Sequence, residues 1–184
     1  MARARKRTLA EAVETSTWLV AMLFVVKGIE LVARVSLAGL GIVPRTERGL
    51  IGIVFSPFLH ANAAHLLANA LPLFILLVLL FWDRHYHPWL TLGLIWGISG
   101  LGTWLIGRGG TVHIGASSII FGLTTYFIAA GFWMKSWRTV LVAVAVFLAF
   151  GGIFLGVLPT NGPISWEGHL SGALAGLWAA RRNR

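Results

Sequence analysis

At 184 residues the chain is long enough for one domain, and 57% of it is hydrophobic against 11% charged. Soluble domains carry roughly 25% charged residues, so this composition excludes an ordinary soluble globule. The absence of cysteine excludes disulfides and thiolate chemistry, and the net charge of +9 is no nucleic-acid footprint, because the basic residues sit at the ends of apolar runs.

Those runs come close to the roughly 20 residues that span a bilayer, and six can be placed in chain order. The opening MARARKRTLAEAVETS, residues 1–16, is basic and then polar. It resembles a signal n-region, but the apolar stretch behind it is too long and too charged for a cleaved signal peptide. It reads as a cytoplasmic tail, with the membrane domain over 17–182.

The first span runs from Thr17 to Leu37 and is interrupted by Lys27, Glu30 and Arg34. Their spacing puts them on one helix face, where they can pair as a self-neutralising triplet. The half-apolar segment GIVPRTERGLIGIVFSPFLHA follows and is expected to lie partly in the membrane interface. The second span, Asn62 to Trp82, opens within HANAAHLLAN, and the turn DRHYHP after it, with His85 and His87, is expected to face water. The third runs from Trp89 to Gly107, and His113 beyond it is expected to be a solvated loop residue. The fourth, Gly115 to Trp133, opens on GASS; the fifth is Trp137 to Val157; the sixth, Gly168 to Ala180, opens on GHLSG. Trp82, Trp89, Trp133 and Trp137 have the placement of interfacial anchors.

With six spans both termini share one side. That side carries Arg3, Arg5, Lys6, Arg7, Arg84, Lys135, Arg138, Arg181, Arg182 and Arg184; the other carries Arg45, Arg48 and Arg108. The lysine and arginine excess marks the cytoplasmic side, so both termini are expected there.

Three spans open on polar groups, and their depths agree. A helix rises about 1.5 Å per residue, which puts Ser117 roughly 27 Å from Lys135, His65 roughly 27 Å and Asn69 roughly 21 Å from Asp83, and His169 roughly 18 Å from Arg181. In a hydrocarbon core about 30 Å thick these four share the outer half. Buried polar groups are costly unless they meet one another or water, so a wet cavity open to the outside is expected. Gly115, Ser118 and Gly122 form one small-residue stripe and Gly168, Gly172 and Gly176 another. Such stripes let membrane helices approach closely. Packing them together would bring Ser117 to His169.

A serine hydroxyl becomes a nucleophile when a base takes its proton, and histidine suits that task near neutral pH. Attack on an amide creates an oxyanion that needs fixed donors. His65 and Asn69, one turn apart, and the Ser117 backbone N–H at a helix start could supply them. Glu167 is two residues from His169, so their side chains are expected to point apart and a two-residue dyad fits better than a triad.

HANAAHLLAN, GASS and GHLSGALAG, in that order and on those spans, resemble the rhomboid intramembrane serine proteases over nearly the whole chain. The resemblance implies an all-α membrane fold, a six-transmembrane-helix bundle, in the family's minimal bacterial form. It implies Ser117 as nucleophile within Gly115-Ala116-Ser117-Ser118, and His169 as base, followed by Gly172 and Gly176. His65 and Asn69 would belong to the oxyanion site, His60 would hold the neighbouring loop, and Phe121 would pack against the catalytic histidine. The segment with Pro44 and Arg45 looks like the family's interface-embedded loop. Ser118 departs from the pattern, standing where the family usually has glycine. The implied reaction is cleavage of single-span membrane proteins near the outer end of their helix through an acyl-enzyme, with no metal or cofactor. The implied partners are transmembrane substrates and the lipid bilayer, in a bacterial plasma membrane. Two other functions stay open: an inactive relative that binds transmembrane helices, and a small transporter or channel. The latter would need an internal repeat or a polar path into the cytoplasmic half, and the sequence has neither.

Overall fold

The computed structural model describes residues 8–160 and 162–184; the basic residues 1–7 of the expected tail lie outside them. The described chain is helical, and its one isolated β-bridge joins Ile42 to His113.

Helix α1, Leu9–Ala33, begins well inside the segment read as a tail. Thr8 and Glu11 form a capping box: the Glu11 N–H donates to Thr8 Oγ1 at 3.2 Å, and the Thr8 N–H to the Glu11 carboxylate at 2.9 Å. The polar residues that suggested a tail are absorbed by the helix. The hydroxyls of Thr15, Ser16 and Thr17 each donate back to a carbonyl one turn earlier at 2.8 Å. The helix stops at Ala33, where Arg34 caps it in the left-handed conformation, φ 54°, rather than running on to Leu37. That changes the expected triplet. Lys27 pairs with Glu30 at 3.0 Å, while Arg34 has left the helical face on which it would have joined them.

The connecting segment holds a short helix, α2 (Glu47–Phe55), capped by Thr46. It is tied to α4 (Pro88–Ile106). The indoles of Trp96 and Trp104 donate to the carbonyls of Ile53 and Thr46, and the Arg45 guanidinium to those of Leu105 and Gly107, all between 2.7 and 2.9 Å. Leu50, Ile51, Val54 and Phe55 of α2 stay exposed.

Helix α3 is Ala63–Trp82, with Asn62 as its cap. Helix α5 is Ser117–Trp133, and α6 is Trp137–Phe150, prolonged by a 3-10 stretch over Gly151–Val157. Helix α7, Trp166–Arg182, starts two residues before the expected Gly168 because Ser165 caps it. Among the described residues four segments are long and apolar enough to cross a membrane: Leu9–Ala33, Ala63–Trp82, Arg84–Ile106 and Trp137–Val157. Helices α5 and α7 have 17 residues each, about 25 Å, and are shorter than those four in an all-α membrane fold.

Helix α5 lies at the centre, against α3, α4, α6 and α7. Its contact with α7 is backbone to backbone. A Cβ on Gly172 would land on the Ser118 carbonyl, and one on Gly176 on the Gly122 carbonyl. The two stripes therefore meet. Ser118 does not spoil that contact, because its hydroxyl is turned toward α4, where Ser99 Oγ lies at 3.4 Å. At the far end of the bundle the Asn183 amide donates to Tyr86 O, Thr91 Oγ1 and Tyr126 Oη. That contact fastens the end of α7 to α4 and α5.

Candidate active site

The chain reaches α5 through a sharp turn. His113 pairs with Ile42, the Gly115 N–H donates to Ser56 O at 2.8 Å, and the helix begins two residues later. Gly115 has φ +112°, a conformation open to glycine, and a Cβ there would come within 2.8 Å of the His65 ring. The turn thus places the Ser117 side chain at the free end of α5, where its own N–H has no intrahelical partner.

His169 Nε2 lies 3.0 Å from Ser117 Oγ, and its Nδ1 lies 2.9 Å from the Gly156 carbonyl. A carbonyl can only accept, so Nδ1 carries the proton and Nε2 is left to accept from the serine hydroxyl. Phe121, one turn beyond Ser117, stacks on the imidazole with ring centroids 4.1 Å apart and planes 9° from parallel. The ring is held at both nitrogens and on one face.

A cavity of about 900 Å³ opens above this pair, lined among others by His65, Asn69, Ser117, Phe121 and His169. Asn69 donates one amide hydrogen to His65 O at 2.8 Å; the other hydrogen is available to the cavity. His60 is buried edge-to-face on His65 at 5.0 Å, and its carbonyl accepts from Lys27 Nζ at 2.9 Å. The Lys27–Glu30 pair therefore anchors the loop that seats His60. Burial, helped by the His65 ring beside it, pushes the His60 pKa down to about 4, so this imidazole is neutral at pH 7. Gly172 and Gly176 lie behind the site, as the surface on which α5 rests.

Three features of the site were not legible in the sequence. Glu167 is fully buried, with Oε1 accepting from the Arg108 backbone N–H at 3.2 Å and from Nε at 2.8 Å. The rest of the Arg108 guanidinium donates to the carbonyls of Thr160, Gly162 and Ile164. One arginine thus fixes the turn that overhangs the cavity. The second feature is the Gly156 carbonyl, in the apolar end of the expected fifth span. The third is His113, which is 6% exposed rather than solvated. Thr111 Oγ1 donates to Arg108 O, so His113 Nε2–H donates to Thr111 Oγ1 at 3.0 Å, and Nδ1 accepts from the Ser165 hydroxyl at 2.6 Å. Burial holds its pKa below the ordinary histidine range. His85, by contrast, is exposed in its turn and bonds Asp83.

Chemically, the arrangement offers a hydroxyl with an adjacent base of fixed tautomer, and amide, imidazole and backbone N–H groups around one cavity. Among the described residues no group of three or more His, Asp or Glu is placed to hold a metal ion.

Known proteins resemble the chain in sequence. Uncharacterized proteins of Mycobacterium bovis and Mycobacterium tuberculosis are each 40% identical to the chain over 170 residues, covering 88% of it and 70% of their own length. An uncharacterized protein of Mycobacterium leprae is 38% identical over 170 residues, covering 87% of the chain and 66% of its own length. No solved structure matches. A family model described as Rhomboid domain matches residues 47–182. That match runs from α2 to α7, with the Ser117–His169 pair inside it and α1 outside, and the chain belongs to the rhomboid family.

Proposed function

We propose that the protein is an intramembrane serine endopeptidase in which Ser117 is the nucleophile and His169 the general base. The single observation that carries the reading is the 3.0 Å contact of Ser117 Oγ with a His169 nitrogen that the Gly156 carbonyl leaves unprotonated. In the first step Oγ attacks the scissile carbonyl carbon while its proton passes to Nε2. The Gly156 carbonyl, facing Nδ1–H, stabilises the imidazolium that forms, in the place where a triad would have its acid. The oxyanion is met by the Ser117 N–H, the free Asn69 amide hydrogen and His65. The tetrahedral intermediate collapses, the leaving nitrogen takes the proton from Nε2, and an acyl-enzyme remains on Ser117. Water from the cavity, deprotonated by His169, then releases the acid product. No metal or cofactor takes part.

The substrates are single-span membrane proteins, cut near the outer end of their helix. A helix hides its carbonyls in hydrogen bonds, so the segment must unwind before Ser117 can reach one. The short α5, which starts about 25 Å from its far end, supports a reaction below the membrane surface. With six spans, the lysine and arginine excess supports both termini in the cytoplasm, and the mycobacterial relatives support a bacterial cell.

The test is cleavage of a reporter single-span protein by the reconstituted enzyme. Wild type and Ser118→Ala should cut it, whereas Ser117→Ala and His169→Ala should lose at least about a thousandfold in rate. A folded wild type that binds the reporter and leaves it intact would make the protein an inactive relative that holds transmembrane helices.

A further inference from the structure

A second cavity, of about 790 Å³, lies at the opposite end of the bundle, between the end of α3 and the start of α6. From Asn69 to Trp82 the distance along α3 is about 20 Å, so this cavity is separate from the one above Ser117. Its upper wall is apolar, made by Leu79, Leu141 and Val142. Its rim carries the indoles of Trp82 and Trp137, both largely exposed, and the guanidinium groups of Arg84 and Arg138.

We propose that this groove binds an anionic phospholipid. The charge is uncompensated from within the protein. Among the described residues neither Arg84 nor Arg138 has a carboxylate partner. The acid at the rim, Asp83, is already engaged by His85, whose Nδ1 lies at 2.7 Å and whose backbone N–H donates at 3.0 Å. Arg138 extends over the Trp137 ring, 5.5 Å from its centroid, which limits its freedom and points it along the rim. A phosphodiester is the anion that guanidinium forks suit. Indoles favour the headgroup boundary. The leucine and valine wall continues toward the bilayer interior, where an acyl chain would lie. A free phosphate would leave that wall uncovered. A zwitterionic lipid would bring a cation to two unpaired cations.

The experiment is native mass spectrometry of the full-length protein released from detergent, titrated with phosphatidylglycerol or phosphatidylcholine. The wild type should retain one phosphatidylglycerol in preference to phosphatidylcholine, and millimolar inorganic phosphate should not displace it. In Arg84→Gln/Arg138→Gln binding should weaken by about fivefold per arginine removed; both side chains are exposed, so the fold is not at risk. Equal retention of the two lipids, or a double variant that binds phosphatidylglycerol as the wild type does, overturns the proposal. Displacement by inorganic phosphate overturns it in favour of a phosphate site. None of these readings depends on proteolysis.

Discussion

Around Ser117 single atoms decide the geometry. The Gly156 carbonyl sets the His169 tautomer, Phe121 sets its plane, and the missing Cβ of Gly115 leaves room for His65. The proximity of Ser117 and His169 was legible because both motifs sit beside small-residue stripes whose helical spacing can be drawn without a structure. The Gly156 contact was not, because a backbone carbonyl has no sequence signature. His113 was misjudged for a related reason: a polar residue in a loop reads as solvated unless the loop is seen packed against Ile42 and Ser165. Its burial and that of His60 have a pH consequence. Both have folded pKa values below the ordinary 6.5, about 4 for His60, chiefly because burial disfavours the charged ring. Below pH 6.5 the unfolded chain therefore binds more protons than the folded one. The stabilisation is complete above about 6.5 and is lost as pH falls toward the folded values. The melting midpoint in detergent should hold from pH 8 to 7 and fall from 6.5 to 5, and the fall should shrink in His60→Gln/His113→Gln. An unchanged slope in that variant would contradict the assignment.

Two contacts between elements hold the site together. The first is the α5–α7 seam, where Gly172 and Gly176 meet backbone carbonyls of Ser118 and Gly122. A methyl group at Gly176 has nowhere to go, so Gly176→Ala should cost about 1–3 kcal/mol by forcing the helices apart. The same displacement should lower the cleavage rate by up to about a hundredfold, since Ser117 and His169 ride on opposite sides of the seam. Thermal melting and reporter cleavage measured on one preparation check both. The second is the Arg108–Glu167 pair with its three carbonyl contacts. Arg108→Gln leaves a fully buried carboxylate without its cation and should cost on the order of 3 kcal/mol. Arg108→Gln/Glu167→Gln removes the orphan charge and should recover part of that loss. A double variant no more stable than the single would contradict a buried ion pair. Residues so far apart in the chain give no local cue that they will meet, which is why the clamp was hidden while the stripes were visible. The start of α1 was hidden differently. Thr15, Ser16 and Thr17 look like tail until their hydroxyls are seen bonded to their own helix.

On the scale of the whole molecule, the helical membrane fold was legible from composition and run length, because a bilayer imposes both. Among the described residues four segments meet the full length, and α5 and α7 fall short of it. The reading of six spans with both termini inside makes a topological prediction that the cysteine-free sequence makes easy to test. A single cysteine introduced as Arg184→Cys should react with a membrane-impermeant maleimide only after the cells are opened, whereas Arg48→Cys should react in intact cells. The reverse pattern would invert the orientation, and labelling of both in intact cells would remove an odd number of spans.

The central claim concerns one oxygen atom. Folded protein treated with a fluorophosphonate should carry one adduct, and peptide mass spectrometry should place it on Ser117. His169→Ala should not acquire it, and Ser118→Ala should acquire it as the wild type does. An adduct on Ser118, or on neither serine, would contradict the account.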